Sequence, residues 1–222
     1  MYHIEPEFIE QYHLKHHVSL MPSTHHLLMA HGAGASTSHP FFAQLIPLLN
    51  QNGCHVWTFD FAYMVKALSE EKKRPPAKLP LLIKEYESVI GVVRQLIGTA
   101  SLWIGGKSMG ARVACHVANQ DNVAHDIEGV YALGYPFHPV GKPDKLRLEV
   151  LQATSTPIFI CQGERDAFGN VNDISHYSLP EHIKVAFIHD GDHSFIPRKS
   201  SGRDIMQNLK EVADLLSTYV HR

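Results

Sequence analysis

Cysteine is scarce in this chain, and so is net charge. Three cysteines, Cys54, Cys115 and Cys161, stand among 222 residues. Each lies in an apolar run (CHVWTF, VACHVA, IFICQ). An odd, dispersed set of this kind excludes a disulfide framework and reads as small core residues in a reducing compartment. Basic residues number 20 and acidic residues 22, a formal charge of −2. Without a Lys/Arg excess the chain is not expected to bind a nucleic-acid backbone. No apolar run approaches the ~18 residues of a membrane span. The stretch MYHIEPEFIEQ carries three glutamates and no basic segment, so no secretory leader is expected and the default location is the cytoplasm. Repeats and low-complexity stretches are also lacking.

What is plentiful is histidine, at 17 residues, enough to swing the net charge positive near pH 6. Composition is otherwise ordinary, with 44% hydrophobic and 19% charged residues. The length suits one domain, and a chain of this size buries roughly 70–75% of its unfolded surface. It needs no disulfide to hold its core.

Short apolar runs alternate with longer amphipathic ones. Strands are expected over 26–31, 54–59, 101–105, 129–133, 157–162 and 183–189, with a further edge strand within 12–20. Helices are expected over 40–52, 79–97, 108–119 and from Ile205 to Val220. Pro40 sits at the first position of its helix, with Ser38 or His39 as cap, and Pro47 predicts a kink or an early stop. The charged, proline-rich segment 67–80 reads as a surface loop. Strands alternating with helices imply a single α/β domain over 1–222, its mostly parallel sheet covered by helices on both faces.

Ligands of such sheets bind at the carboxyl ends of the strands. Glycine recurs there: His31-Gly-Ala-Gly-Ala35, Gly106-Lys-Ser-Met-Gly110, Gly163-Glu-Arg-Asp166 and Asp190-Gly-Asp-His193. The last three carry Ser, Asp and His in that order. Gly-x-Ser-x-Gly is weak alone, but here it stands between an expected strand and an expected helix. A nucleophile elbow needs that setting, and glycines at 106 and 110 let strand and helix approach closely. Serine needs a base, and the base needs an orienting carboxylate. The candidates are Ser108 as nucleophile, His193 as base and Asp166 as acid. Met109 and Ala33 would supply oxyanion N–H donors, with Gly34 as the alternative to Ala33 and as a substrate contact.

The plainer roles were weighed beside these. Ser108 also suits a helix cap, and Asp166 a turn. Asp173 is the rival acid, although Asn170-Val-Asn-Asp173 reads as the cap of a short helix. His31 is expected to be structural, bridging two loops. Lys107 is either a charged lip for anionic substrates or a solvated residue paired with Glu164. Tyr135 and Phe137 are candidate walls of an acyl pocket, or packing. The pairs His16-His17 and His25-His26 do not chelate by themselves, because neighbours on a strand face opposite ways, so no metal or other cofactor is expected. Gly105-Gly-Lys-Ser108 lacks the earlier glycine of a phosphate-binding loop, which falls on Ser101. A dinucleotide fingerprint fails similarly at Thr37.

The segments HGAGAS (31–36), GGKSMGAR (105–112), LGYPFHPVGKP (133–143), QGERDAFG (162–169) and GDHSF (191–195) together resemble the minimal, lid-poor α/β-hydrolases. More narrowly, they resemble the testis-expressed hydrolase-like proteins and the KANSL-like subunits of a histone-acetyltransferase complex. The resemblance implies the triad Ser108, Asp166 and His193 and says little about substrate. The short segments 60–80 and 135–145 predict an open site, which favours small esters or thioesters, and without an apolar span no membrane partner is expected. The competing expectation is a hydrolase-shaped scaffold with little turnover.

Overall fold

The computed structural model describes residues 5–222. The first four, where the stretch read as lacking a leader begins, lie outside the described residues. The strands are β1 (Lys15–His17), β2 (His25–Ala30), β3 (His55–Phe59), β4 (Ser101–Lys107), β5 (Gly129–Leu133), β6 (Ile158–Gly163) and β7 (Ile183–Ile188). The helices are α1 (Pro6–Tyr12), α2 (Pro40–Gln51), α3 (Ala62–Ser69), α4 (Leu79–Ile97), α5 (Met109–Ala118), α6 (Asp121–Ala124), α7 (Glu149–Ala153), α8 (Val171–Ser175) and α9 (Ile205–Val220).

One seven-stranded sheet runs in the order β1-β3-β2-β4-β5-β6-β7. Only β1 is antiparallel, pairing Lys15 with Thr58 and His17 with Val56. The other five pairings are parallel. The inner strands are apolar on both sides, as a sheet covered on both faces requires, while the edge strand β1 is polar and largely exposed. Leu27, Met29, Val56, Tyr131, Phe159 and Cys161 pack with α2 and α9 on one face. Leu28, Ala30, Phe59, Ile104, Val130 and Ile160 pack with α4 and α5 on the other. Alternate residues of each strand thus feed two separate cores.

The helix at 79–97 forms as its 3.6-residue spacing requires, and Gly98 closes it with φ 62°. Its buried Tyr86 reaches the sheet, where the hydroxyl accepts from Gly105 N at 2.9 Å and lies 2.7 Å from Gly105 O. That contact braces β4 shortly before its end.

Three expectations need correction. Of the kink or early stop expected at Pro47, the early stop does not occur, because α2 runs on to Gln51. The helix is anchored by Phe41, Phe42, Leu45, Ile46 and Leu49, while Pro47 and Ala43 are exposed, so the carbonyl that proline leaves unpaired faces water. The segment 67–80 is not all loop, since residues 67–69 finish α3, a helix that buries one side chain, Met64. Helices α1 and α7 also arise where none was expected.

Candidate active site

Ser108 follows β4 and precedes α5, with φ 52° and ψ −110°. A serine at positive φ is strained, and the strain lifts its side chain clear of the sheet. The turn is that tight because α5 lies directly over β2. A Cβ on Gly106 would sit 2.2 Å from Ala30 O. One on Gly110 would sit 2.6 Å from the carbonyl oxygens of Ala30 and His31. Larger residues would push strand and helix apart.

The loops after β6 and β7 converge on this serine. His193 Nε2 lies 2.8 Å from Ser108 Oγ, and His193 Nδ1 lies 2.7 Å from Asp166 Oδ2. A carboxylate can only accept, so Nδ1 carries the proton and Nε2 is free to accept from the serine hydroxyl. Asp166 is wholly buried. It is held by two further donors, Gln162 Nε2 at 2.9 Å and Phe168 N at 2.8 Å. Gln162 is itself buried and ties the loop together. Its Oε1 accepts from Tyr135 N at 2.8 Å, and its amide nitrogen lies 3.0 Å from Gly169 O. The Phe168 ring packs on the His193 ring, 4.4 Å between centroids. Neither Gln162 nor Phe168 was singled out from the sequence.

Asp173 is engaged elsewhere. Asn170 caps α8 by accepting from Asn172 N and Asp173 N, and Asp173 Oδ2 accepts in return from Asn170 N at 3.1 Å. This reciprocal cap leaves Asp173 no direct contact with His193 among the described residues.

On the other side of Ser108 runs the loop after β2. His31 is buried and bridges two loops, as expected of a structural histidine. Its Nε2 accepts from Phe61 N at 3.0 Å, and its Nδ1 lies 2.5 Å from Gly32 O. Tyr63 donates its hydroxyl to Ala33 O at 3.1 Å. Asp60 Oδ1 accepts from Thr37 N at 2.8 Å, pinning the far end of the loop. Both peptide planes at Ala33 are thereby fixed. Its N–H and that of Met109 donate to no group among the described residues.

Lys107 is neither an open lip nor paired with Glu164. It is buried and donates to the backbone carbonyl of His193 at 2.5 Å. Burial brings its pKa down to about 8, against the opposing pull of Asp166 and Asp192. Glu164 instead accepts from Asp190 N at 2.7 Å. Tyr135 and Phe137 are also corrected as pocket walls. Both are fully buried, and the Tyr135 hydroxyl is spent on Arg147 O at 2.9 Å. The prolines around them suggested a surface segment, but the rings turn inward and pack edge-to-face on one another.

Two clefts flank Ser108. One, of about 310 Å³, is lined by Gly32 to Ala35, Phe41, Lys107 and His193. The other, of about 360 Å³, opens toward Met109, Arg112 and Arg147. Gly34 also borders a wider groove of about 690 Å³ running out to Lys72 and Lys73.

Against known proteins, the model of the alpha/beta hydrolase domain matches residues 23–221. The chain belongs to that family. Solved α/β-hydrolase structures share the fold. A serine hydrolase homologue from Coxiella burnetii is 14% identical, with TM-score 0.69, covering 93% of this chain and 90% of its own. A lidless serine hydrolase from Xanthomonas campestris is also 14% identical, with TM-score 0.64, covering 94% and 88%. A dienelactone hydrolase from Anabaena variabilis is 20% identical, with TM-score 0.67, covering 94% and 91%. No curated protein matches the sequence. Among the described residues of this α/β-hydrolase, no helix is long and apolar enough to cross a membrane.

Proposed function

We propose that the protein is a serine hydrolase that cleaves small carboxylic esters or thioesters through an acyl-enzyme. The observation that carries this reading is the continuous relay Ser108 Oγ–His193 Nε2 and His193 Nδ1–Asp166 Oδ2, at 2.8 and 2.7 Å. Ser108 Oγ attacks the carbonyl carbon as His193 Nε2 takes its proton. Asp166 keeps the imidazole in the accepting tautomer and stabilises the imidazolium. The carbonyl π pair moves onto oxygen, where the N–H groups of Met109 and Ala33 receive the charge. Gly32 O is engaged by His31 and Ala33 O by Tyr63, which leaves the loop's N–H groups on the opposite sides of their peptides. Each such donor is worth on the order of 3 kcal/mol in the transition state. Collapse expels the alkoxide or thiolate, which takes the proton from His193. Water, deprotonated by His193, then attacks the acyl-serine and frees Ser108.

Lys107 acts here through His193, whose carbonyl it holds, rather than through the substrate. Gly34 borders the substrate. No cofactor is needed, and the three buried free thiols suit a reducing compartment such as the cytoplasm. A fluorophosphonate probe tests the reading. The protein labels covalently, one probe per chain, and Ser108→Ala does not. Absence of labelling in folded protein would favour the non-catalytic scaffold of the KANSL-like kind.

A further inference from the structure

The cleft toward Arg112 carries two guanidinium groups with almost nothing to bind. Arg112 lies four residues after Ser108, roughly one helical turn or ~6 Å along α5. Its side chain makes no hydrogen bond and no ion pair among the described residues, and its Nε is buried without a partner. Arg147 comes from the segment before α7 and makes a single long contact, to Pro136 O at 3.4 Å. The remaining arginines, Arg222 at the chain end aside, are engaged. Arg74 pairs with Glu70, Arg165 and Arg198 with Asp190, and Arg203 with Glu211. Arg94 donates to three backbone carbonyls.

The two unengaged arginines also face each other. Burial lowers the pKa of Arg147, and the neighbouring Arg112 charge lowers it further. Glu149, two residues after Arg147, is exposed, and neither arginine forms an ion pair among the described residues. No carboxylate lines the cleft. Ten N–H donors, two like charges and one weak acceptor make an arrangement that an anion relieves, since an uncompensated half-buried charge is costly. The planar guanidinium fork matches a carboxylate in shape. Apart from Ser108 and the two arginines, the side chains lining this cleft are apolar, including Ala77, Leu79, Leu82, Met109 and Val113.

We propose that Arg112 and Arg147 bind a carboxylate of the substrate, so that the preferred substrates are esters or thioesters whose scissile carbonyl is joined by a short aliphatic spacer to a free carboxylate. This rests on the hydrolase reading above and names its substrate class. The apolar walls take the spacer, and the arginines set its length and orientation.

Monoethyl adipate and ethyl hexanoate share a six-carbon acyl chain and differ in the terminal carboxylate. With acid release followed by pH-stat, kcat/KM is at least tenfold higher for monoethyl adipate. Arg112→Met and Arg147→Met each lower kcat/KM for monoethyl adipate at least tenfold more than for ethyl hexanoate, and Arg112→Lys retains part of the preference. No preference in the unaltered enzyme, or equal losses on both esters, overturns the proposal. Binding to Ser108→Ala separates it from the hydrolase reading. Calorimetry shows saturable binding of adipate that Ser108→Ala/Arg112→Met loses. Turnover of neither ester would refute the hydrolase, while adipate binding would still support the anion site and its absence would refute it. Tighter binding of inorganic phosphate than of adipate would overturn the choice of carboxylate.

Discussion

Replacing Gln162 by leucine isolates a residue that touches the relay without belonging to it. Leucine nearly matches glutamine in volume, so little cavity forms. What disappears is a set of buried hydrogen bonds. Tyr135 N loses its acceptor at 2.8 Å, and Gly169 O and Asp166 Oδ2 lose donors at 3.0 and 2.9 Å. Each buried polar group left unsatisfied costs about 1–3 kcal/mol, more when it is charged. Relaxation around the site recovers part of this, so a net loss of about 3 kcal/mol is expected. For a chain of this length, unfolding entropy near 0.5 kcal/mol/K converts that to roughly 6 °C in Tm. Asp166 keeps two of its three donors, His193 Nδ1 and Phe168 N. Removing a triad carboxylate outright costs about four orders of magnitude in kcat. Loosening it should cost about one to two. Thermal melts and steady-state turnover of a short-chain ester give both numbers. A lower Tm with unchanged kcat would show that Gln162 only stitches loops together. An unchanged Tm would refute the reasoning at its base, because it would mean that these buried bonds contribute nothing.

Two further predictions separate neighbouring groups. Asp166→Asn should be nearly inactive yet fold normally. Asp173→Asn should stay active and lose roughly 1 kcal/mol of stability with its cap, so turnover and melting of the two variants must change in opposite patterns. The second concerns acid. Burial, then the nearby charges of His55, His16, Arg94 and His25, lowers the pKa of His26 from 6.5 to about 4. Its neutral form is favoured in the fold, so its contribution is complete above pH 6.5 and is lost as pH falls toward 4, up to about 3 kcal/mol in all. Chemical denaturation at pH 7.5 and 5 should show a smaller drop for His26→Gln than for the unaltered protein.

Most of the sheet was legible because the inner strands are short apolar runs feeding two cores, and β2, β4, β5, β6 and β7 each end at or near a glycine. The long helices were legible from the spacing of apolar residues such as Leu82, Tyr86, Val89 and Val93 on α4. Among the short helices only α8 was, through its Asn170 cap. Helix α3 is fixed by what it packs on, burying Met64 alone and lacking a side-chain cap, so its sequence carries little periodic signal. Ser108, Asp166 and His193 stood out because glycine-rich strand ends expose chemistry-bearing residues. Gln162 and Tyr63 did not, since a strand-end glutamine and a helical tyrosine gain meaning only from the groups that folding brings to them. Lys107, Tyr135 and Phe137 were misjudged for the converse reason. Their polarity or their flanking prolines suggested surface, while long-range packing drew them inside.

The histidine pairs extend this lesson to the opposite end of the sheet. The rule that neighbours on a strand face apart holds. His17 lies 3.1 Å from Thr58 Oγ1, and the His25 ring lies 4.3 Å from that of His221. Their partners His16 and His26 turn to the other face and meet His55, with ring nitrogens within 4.8 Å of one another. Proximity alone suggests a chelate, but the hydrogen bonds argue otherwise. Trp57 Nε1 donates to His26 Nδ1 at 3.1 Å, and Ser19 N donates to His55 Nδ1 at 3.3 Å. In each neutral ring the remaining nitrogen must therefore carry the proton and cannot ligate a metal without breaking that bond. His16 stacks on Trp57 at 4.0 Å, closing the group against the edge strand. The trio is better understood as aromatic packing that clamps β1 to β3 and β2. At the Ser108 end, the buried Asp166 carboxylate and Lys107 ammonium are each held by partners, His193, Gln162 and Phe168 N for the first and His193 O for the second. Among the described residues His16 and His26 have no carboxylate partner, and burial favours their neutral forms, so acid loosens this end of the fold.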